Sequence, residues 1–199
     1  MATVRSVKEI QNSNLLRIGV NDGEESLAYT LRENIYREIG SPIRGFELSD
    51  GEMEMIKRED EFIRAKKSAL SLLSYADNNE RTLQSKLRKK GYSSEIAAEV
   101  AKDMVCMGYI NEESQIERLI LSEANFRLRG AGKIIPKLVA KGYSAQDVRR
   151  VLSELCERGE IDFEKNASLL IKKKLSEEAD REAKVALLLK NGFRVRGIE

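Results

Sequence analysis

Histidine and tryptophan are absent from these 199 residues, and cysteine and proline each occur only twice. Without histidine, Ser-His-Asp and Cys-His catalytic arrangements are excluded, as are the usual histidine-ligated zinc sites. Cys106 and Cys156 lie 50 residues apart, forming neither a CxxC redox pair nor a metal-ligand cluster. Each falls late in a predicted helix among apolar neighbours and reads as a buried free thiol. Two prolines and 13 glycines leave little material for long disordered linkers. With aromatics at 6%, the cores must be assembled from Leu, Ile, Val, Ala and Met, which suits small helical units. No stretch approaches about 18 apolar residues, and "MATVRSVKEI" lacks the apolar centre of a signal peptide. The expectation is a soluble, cytoplasmic protein with no membrane association.

Charge is plentiful, at 34% of residues, and it is unevenly placed. The net charge of +2 is too small to announce a nucleic-acid binder. Residues 1–60, however, hold 8 Lys/Arg against 12 Asp/Glu, and the remainder holds 27 against 21. An acidic head on a basic body fits a partner with a charged groove; it is also compatible with plain fluctuation in a charge-rich chain.

The first 48 residues carry β signals. Val4, Val7 and Ile10, then Leu16, Ile18 and Val20, alternate as two short strands around the turn Asn12-Ser13-Asn14. Asn21-Asp22-Gly23 makes a second turn, and a third strand follows over Ser26 to Thr30. "LRENIYREIG" then has helical spacing at Leu31, Ile35 and Ile39, ending on Gly40. This small β-meander and helix should pack on the helices that follow. Ser49-Asp-Gly-Glu52 is a capping-box pattern opening a long helix to about Ala76, with room for one break. Asp77-Asn78-Asn79 ends it and caps the next.

One helix ending is written three times: "LRKKGYS" from Leu87, "LVAKGYS" from Leu138 and "LLKNGF" from Leu188. Glycine past a helix end takes the left-handed conformation cheaply, and the residue after it contacts the residue four before the glycine. The spacing pairs Tyr92 with Leu87, Tyr143 with Leu138 and Phe193 with Leu188. Ser93 or Ser94, and Ser144, would cap the next helices. At an offset of 51, Leu83 matches Ile134, Val100 matches Val151 and Met104 matches Leu155. Gly108 matches Gly159 as further helix stops, and Asn111 matches Asp162 as N-caps. The predicted stops are therefore Gly91, Gly108, Gly142, Gly159 and Gly192.

This is a tandem repeat. The expected class is mainly α, an elongated array of three-helix repeats behind a small N-terminal β-meander plus helix. The boundaries read as 1–60 for the extension, 61–110 for repeat one, 111–161 for repeat two and 162–199 for a shortened repeat three. Pro136 falls close to a helix start, tolerable in the first turn. Lys184 falls where an apolar residue is expected, so Val185 or Leu188 must supply the core. Leu83, Leu87, Met104, Ile134, Leu138 and Leu155 are assigned to packing.

The candidate binding residues are basic. Lys133, Lys137 and Lys141 fall at i, i+4 and i+8 on one helix face, and Lys86 with Lys90 matches Lys137 with Lys141. Lys89 lies in the same helix end as Lys90. Arg127 and Arg129 precede the stripe, Arg149 and Arg150 follow it, and Lys172, Lys173 and Lys174 lie beyond. These would attract phosphates or an acidic groove in a salt-dependent way; as a solvated face they serve helix dipoles and solubility equally well. "GAGKI" at Gly130 is no phosphate loop, because Arg127 and Ile134 occupy positions that need glycine and Ser or Thr. Asp60-Glu61 lies on a charged helix with no sign of burial, giving no support for acid–base chemistry. Neither cofactor, metal nor small-molecule ligand is indicated, and the chain does not read as an enzyme.

With the repeat laid out, "ALSLLSYADNNERTLQSKLRKKGYSSEIAAEVAKDMVCMGYIN", "LRGAGKIIPKLVAKGYSAQDVRRVLSELCERGEID" and "EEADREAKVALLLKNGF" resemble the RecX family of bacterial RecA regulators. The likeness covers about residues 61–193 and rests on the leucine-bearing second helix, the Lys-Gly-aromatic corner and the Gly-x-(Ile/Leu)-(Asp/Asn) join. It implies a non-enzymatic regulator that lies along the groove of the RecA–DNA filament and limits extension, strand exchange and coprotease action. The alternative is a helical-repeat protein that binds single- or double-stranded DNA without RecA.

Overall fold

Alternating apolar residues at the start of the chain build a sheet, and the 3.6-residue period that follows builds helices. The computed structural model describes residues 2–23, 25–176 and 178–194; the last five residues of the predicted third repeat lie outside the described residues. The strands are β1 (Ala2–Ile10), β2 (Leu15–Asp22), β3 (Glu25–Arg32) and β4 (Glu47–Leu48), with α1 (Glu33–Glu38) before β4. Then come α2 (Asp50–Tyr75), α3 (Glu80–Lys89), α4 (Ser94–Cys106), α5 (Glu112–Leu121), a π-helical turn (Ser122–Phe126), α6 (Ala131–Ala140), α7 (Ala145–Glu157), α8 (Phe163–Lys174) and α9 (Arg181–Lys190). The chain divides into two units, Met1–Ala76 with Leu83–Met107, and Asp77–Thr82 with Gly108–Glu199.

In the first unit an antiparallel sheet of order β3-β2-β1-β4 places Val4, Ile18, Val20 and Leu31 against Met53 and Ile56 of α2. The meander thus packs on the helix behind it, as expected. Leu31 belongs to the sheet rather than to the helix predicted from it, because the β2–β3 ladder continues through Leu16–Leu31 to Leu15–Arg32. The short β4 had no sequence signal beyond two residues. α2 runs unbroken from the Ser49–Glu52 capping box, whose reciprocal bonds are both present. Asp60 is buried rather than solvated: it accepts the Thr30 N–H at 2.9 Å, while its buried neighbour Glu59 takes Arg32 Nη2 at 2.8 Å. Both carboxylates fasten β3 to α2. Leu83 and Leu87 of α3 and Val100 and Met104 of α4 are fully enclosed. Each such side chain contributes about 1.5–3 kcal/mol relative to exposure.

The second unit repeats that plan. Ile116 and Ile120 of α5, Ile134 and Leu138 of α6, and Val148, Val151 and Leu155 of α7 form one cluster. A smaller cluster joins Leu128, Leu170, Leu188 and Phe193. Leu188 takes the core place that Lys184 vacates. Gly91, Gly108, Gly142, Gly159 and Gly192 all have positive φ, and helices stop at each. At the three corners the N–H of Tyr92, Tyr143 and Phe193 donates to the carbonyl of Leu87, Leu138 and Leu188 at 3.3, 3.2 and 3.0 Å. Ser93, Ser144, Asn111 and Asp162 are N-caps. Pro136 lies past the first turn, as the sixth residue of α6. The amide it lacks would have bonded the Gly132 carbonyl. Cys106 and Cys156 are exposed, contrary to expectation. Each follows a core residue, Met104 or Leu155, by one or two positions, and a rotation of about 100° per residue swings it off the buried stripe.

Candidate functional site

The basic residues singled out from sequence divide by what they touch. Around Glu123, in the π turn, three converge: Lys137 Nζ at 2.6 Å, Arg129 Nη1 at 2.9 Å and Arg127 Nε at 3.4 Å. The Glu123 side chain is only 6% exposed, whereas those of the cations are 30%, 34% and 57% exposed. Burial pushes the Glu123 carboxyl up, but the hydrogen bond from Lys137 and the charges of Lys137, Arg129 and Arg127 outweigh it and hold the group below the usual carboxylate range. The cluster is therefore anchored on one side and presents its cations to solvent on the other. Local geometry favours this: the π turn ends at Arg127, and Leu128 takes φ 51° before Gly130 opens α6. That left-handed leucine turns the chain so that Arg129 returns to Glu123.

Arg150 is held by Glu113 at 2.8 Å and Glu154 at 2.9 Å, and these bonds raise its already high pKa. Arg149 is exposed and, among the described residues, reaches only the Ala145 carbonyl, at 3.5 Å. Lys133 and Lys141 share the α6 face with Lys137, are exposed and form no ion pair with another described residue. The same holds for Lys89 and Lys90 at the end of α3 and for Lys172, Lys173 and Lys174 in the last turn of α8. Lys86 is exposed on α3. So Arg127, Arg129 and Lys137 are brought together, Arg150 is taken up by carboxylates, and the remaining lysines stand in separate helix ends.

Two kinds of residue escaped the sequence reading. Glu123 is one; an acid four residues before Arg127 and six before Arg129 was the available signal. The other is one aromatic per repeat, at the end of α2 in the first and at the end of the π turn that follows α5 in the second. Tyr75 and Phe126, 51 residues apart, are 88% and 82% exposed. Single exposed apolar residues are ordinary, but the recurrence of a bare ring at one repeat position was legible in the offset. Tyr143, by contrast, is buried, its hydroxyl donating to Gln115 Oε1 at 2.8 Å. Burial raises its pKa, with Glu112 and Asp77 adding to the effect. No group of three or more Cys, Asp or Glu among the described residues is placed to hold a metal ion. Among them, too, no helix is long and apolar enough to cross a membrane.

Comparison with known proteins gives one family. Residues 65–103, covering the end of α2, α3 and most of α4, match the model of the RecX first three-helix domain. The chain is 28% identical over 131 residues to regulatory protein RecX of Clostridioides difficile, which is 66% of this chain and 60% of that protein. It is 24% identical over 194 residues to the regulatory protein RecX of Streptococcus uberis, covering 94% of this chain and 72% of the relative. Against the relatives from Listeria monocytogenes and Bacillus cytotoxicus the chain spans about half their length, 52% and 47%. A crystal structure of regulatory protein RecX superposes with a TM-score of 0.72 at 18% identity, over 98% of this chain and 95% of that one. The crystal structure of RecX from Lactobacillus salivarius gives 0.57 at 19% identity, over 68% and 90%. At these identities the superpositions establish the fold.

Proposed function

We infer, with the chain's membership of the RecX family as the premise, that it is a regulatory protein acting through its surface on the RecA–DNA filament, where it lowers recombinase, ATPase and coprotease activity. The observation that carries this reading is the family's three-helix unit at residues 65–103, with the same helix corners and core positions recurring 51 residues later. Repeated modules suit a repeating partner, since modest contacts multiply along it. The exposed cations Lys89, Lys90, Lys133, Lys141 and Lys172 to Lys174 supply attraction, and the bare rings of Tyr75 and Phe126 supply apolar anchors. No cofactor or small molecule enters this reading.

Titration into RecA's DNA-dependent ATPase tests it. The rate should fall at substoichiometric ratios, and Phe126→Ser combined with Lys133→Glu and Lys141→Glu should weaken the effect about tenfold or more. These side chains are exposed and outside the Glu123 cluster, so the fold is spared. An unchanged ATPase rate at excess protein would reject the proposal. The second reading, binding of DNA without RecA, is favoured by the exposed lysines alone. It requires a steep fall of naked-DNA affinity with salt.

A further inference from the structure

Asn191 is the one asparagine of the chain that is followed by glycine. That pair is chemically labile. The Gly192 backbone nitrogen, unhindered by a side chain on its own residue, attacks the Asn191 side-chain amide carbon in conformations that glycine reaches easily. The fold does not call for asparagine there: Lys90 and Lys141 stand at the same place before Gly91 and Gly142. All three corners close with the same backbone bonds, the N–H of Lys90, Lys141 and Asn191 each donating to the carbonyls three and four residues earlier. In the folded chain both reacting groups of the pair are occupied. The Gly192 N–H donates to the Leu189 carbonyl at 3.0 Å, and Asn191 Nδ2 donates to the Leu187 carbonyl at 2.8 Å, which turns the side-chain amide back along α9. The start of α6 takes the carbonyls of the same two residues, that of Asn191 through the Gly130 N–H and that of Gly192 through the Gly132 N–H. This contact has no slack. A β-carbon on Gly130 would strike the Gly192 carbonyl, and one on Gly192 would strike the Lys133 backbone nitrogen.

We propose that Asn191–Gly192 is a site of spontaneous deamidation, held inert while its contact with α6 is closed, and that the reaction opens that contact for good. The step needs only water. The Gly192 nitrogen bonds to Asn191 Cγ and gives up its proton, the Cγ–Nδ2 bond breaks and ammonia leaves. Water then opens the resulting cyclic imide at either carbonyl, leaving aspartate or isoaspartate at position 191; nothing is oxidised or reduced. Isoaspartate carries the main chain through Cβ and lengthens it by one atom. The two carbonyls then no longer match the spacing of the Gly130 and Gly132 amides, in a contact that tolerates no extra atom. Aspartate instead puts a carboxylate where Nδ2 donated, against the Leu187 carbonyl at the negative end of α9. Both products disfavour closure. Because the contact must open before the nitrogen is released, the rate of conversion follows the population of the open form.

The full chain, its Gly132→Ala variant and a synthetic peptide of residues 187–194 are incubated side by side in mildly alkaline buffer. Conversion at position 191 is followed by peptide mapping with mass spectrometry. The peptide supplies the unprotected rate, and the parent chain should convert about a hundredfold more slowly. Gly132→Ala should speed the chain about tenfold: its β-carbon would lie 3.0 Å from the Gly192 carbonyl, while alanine itself suits a helix. Asn191→Lys, which installs the residue of the other two corners, should abolish conversion and leave the circular dichroism unchanged. Aged protein carrying isoaspartate, separated from the parent, should exchange its Gly130 and Gly132 amide hydrogens about a hundredfold faster. Equal rates in chain and peptide, or no acceleration by Gly132→Ala, would overturn the protective role of the contact. Unchanged exchange at Gly130 and Gly132 in the aged protein would overturn its opening. RecA is absent from every arm, so failure here leaves the filament reading standing on its own test.

Discussion

At Asn79 and Gly130, positions 51 residues apart, the chain builds the same joint twice with different chemistry. Each residue stands at the start of a ten-residue helix, and each meets the glycine corner that follows about 60 residues later. At the first joint the Asn79 amide does both tasks. Its Oδ1 accepts the Thr82 N–H at 2.8 Å, and its Nδ2 donates to the Lys141 carbonyl at 3.0 Å. At the second joint backbone meets backbone. The Gly130 N–H donates to the Asn191 carbonyl at 2.9 Å and the Gly132 N–H to the Gly192 carbonyl at 3.0 Å. A β-carbon on Gly130 would strike the Gly192 carbonyl, whereas one on Gly142, at the first joint, would meet the Asn79 side-chain nitrogen at 3.3 Å. The orphan amides at a helix start can be satisfied by a side chain or by a neighbouring corner. The second solution brings the chains closer and excludes any substituent.

The first helices differ as well. α2 runs straight through residues 71–75, while the equivalent stretch after α5 is the π turn, with Glu123 in the place of Leu72. An apolar residue in one repeat is a buried carboxylate holding three cations in the other. The repeats share a core and diverge in the polar contacts laid over it.

Substitution breaks this comparison most sharply at Gly130. Gly130→Ala should cost about 3 kcal/mol in urea unfolding, the upper end of overpacking, because the obstacle is backbone and cannot rotate away. Its φ of −83° suits any residue, so the loss reports the collision alone. Glu123→Gln should cost about 2 kcal/mol at neutral pH by leaving the cations with a weaker partner. Because the folded state depresses this carboxyl, its contribution is complete above the ordinary glutamate range and is lost as pH falls through the lower folded value. The stability gap between Glu123→Gln and the parent chain should therefore narrow on acidification, followed by unfolding midpoints across pH. Asn79→Ala should have the smallest effect, about 1 kcal/mol, the usual scale for a lost cap. Were Asn79→Ala to cost more than Gly130→Ala, the distinction between the two joints would be wrong.

The repeat was legible because glycine stops, cap residues and core positions are set by local geometry, and local geometry is written in short spacings. Gly91, Gly142, Ser144 and Asp162 all act as those spacings required. The Glu123 cluster was hidden for the opposite reason. Whether an acid just ahead of two arginines is solvated or buried depends on Lys137, fourteen residues away, and on a π turn that no composition rule announces. Asp60 escaped in the same way, since its burial is decided by β3, thirty residues earlier. The cysteines failed by one helical step at Cys156 and two at Cys106: a periodic stripe fixes which face is buried, and both positions fall off it.

The filament reading is tested most directly by co-sedimentation of the chain with RecA assembled on single-stranded DNA, against the same DNA without RecA. The account expects the chain to pellet with the filament and to stay in solution with naked DNA at physiological salt. Equal recovery on naked DNA, or none on the filament, would contradict it.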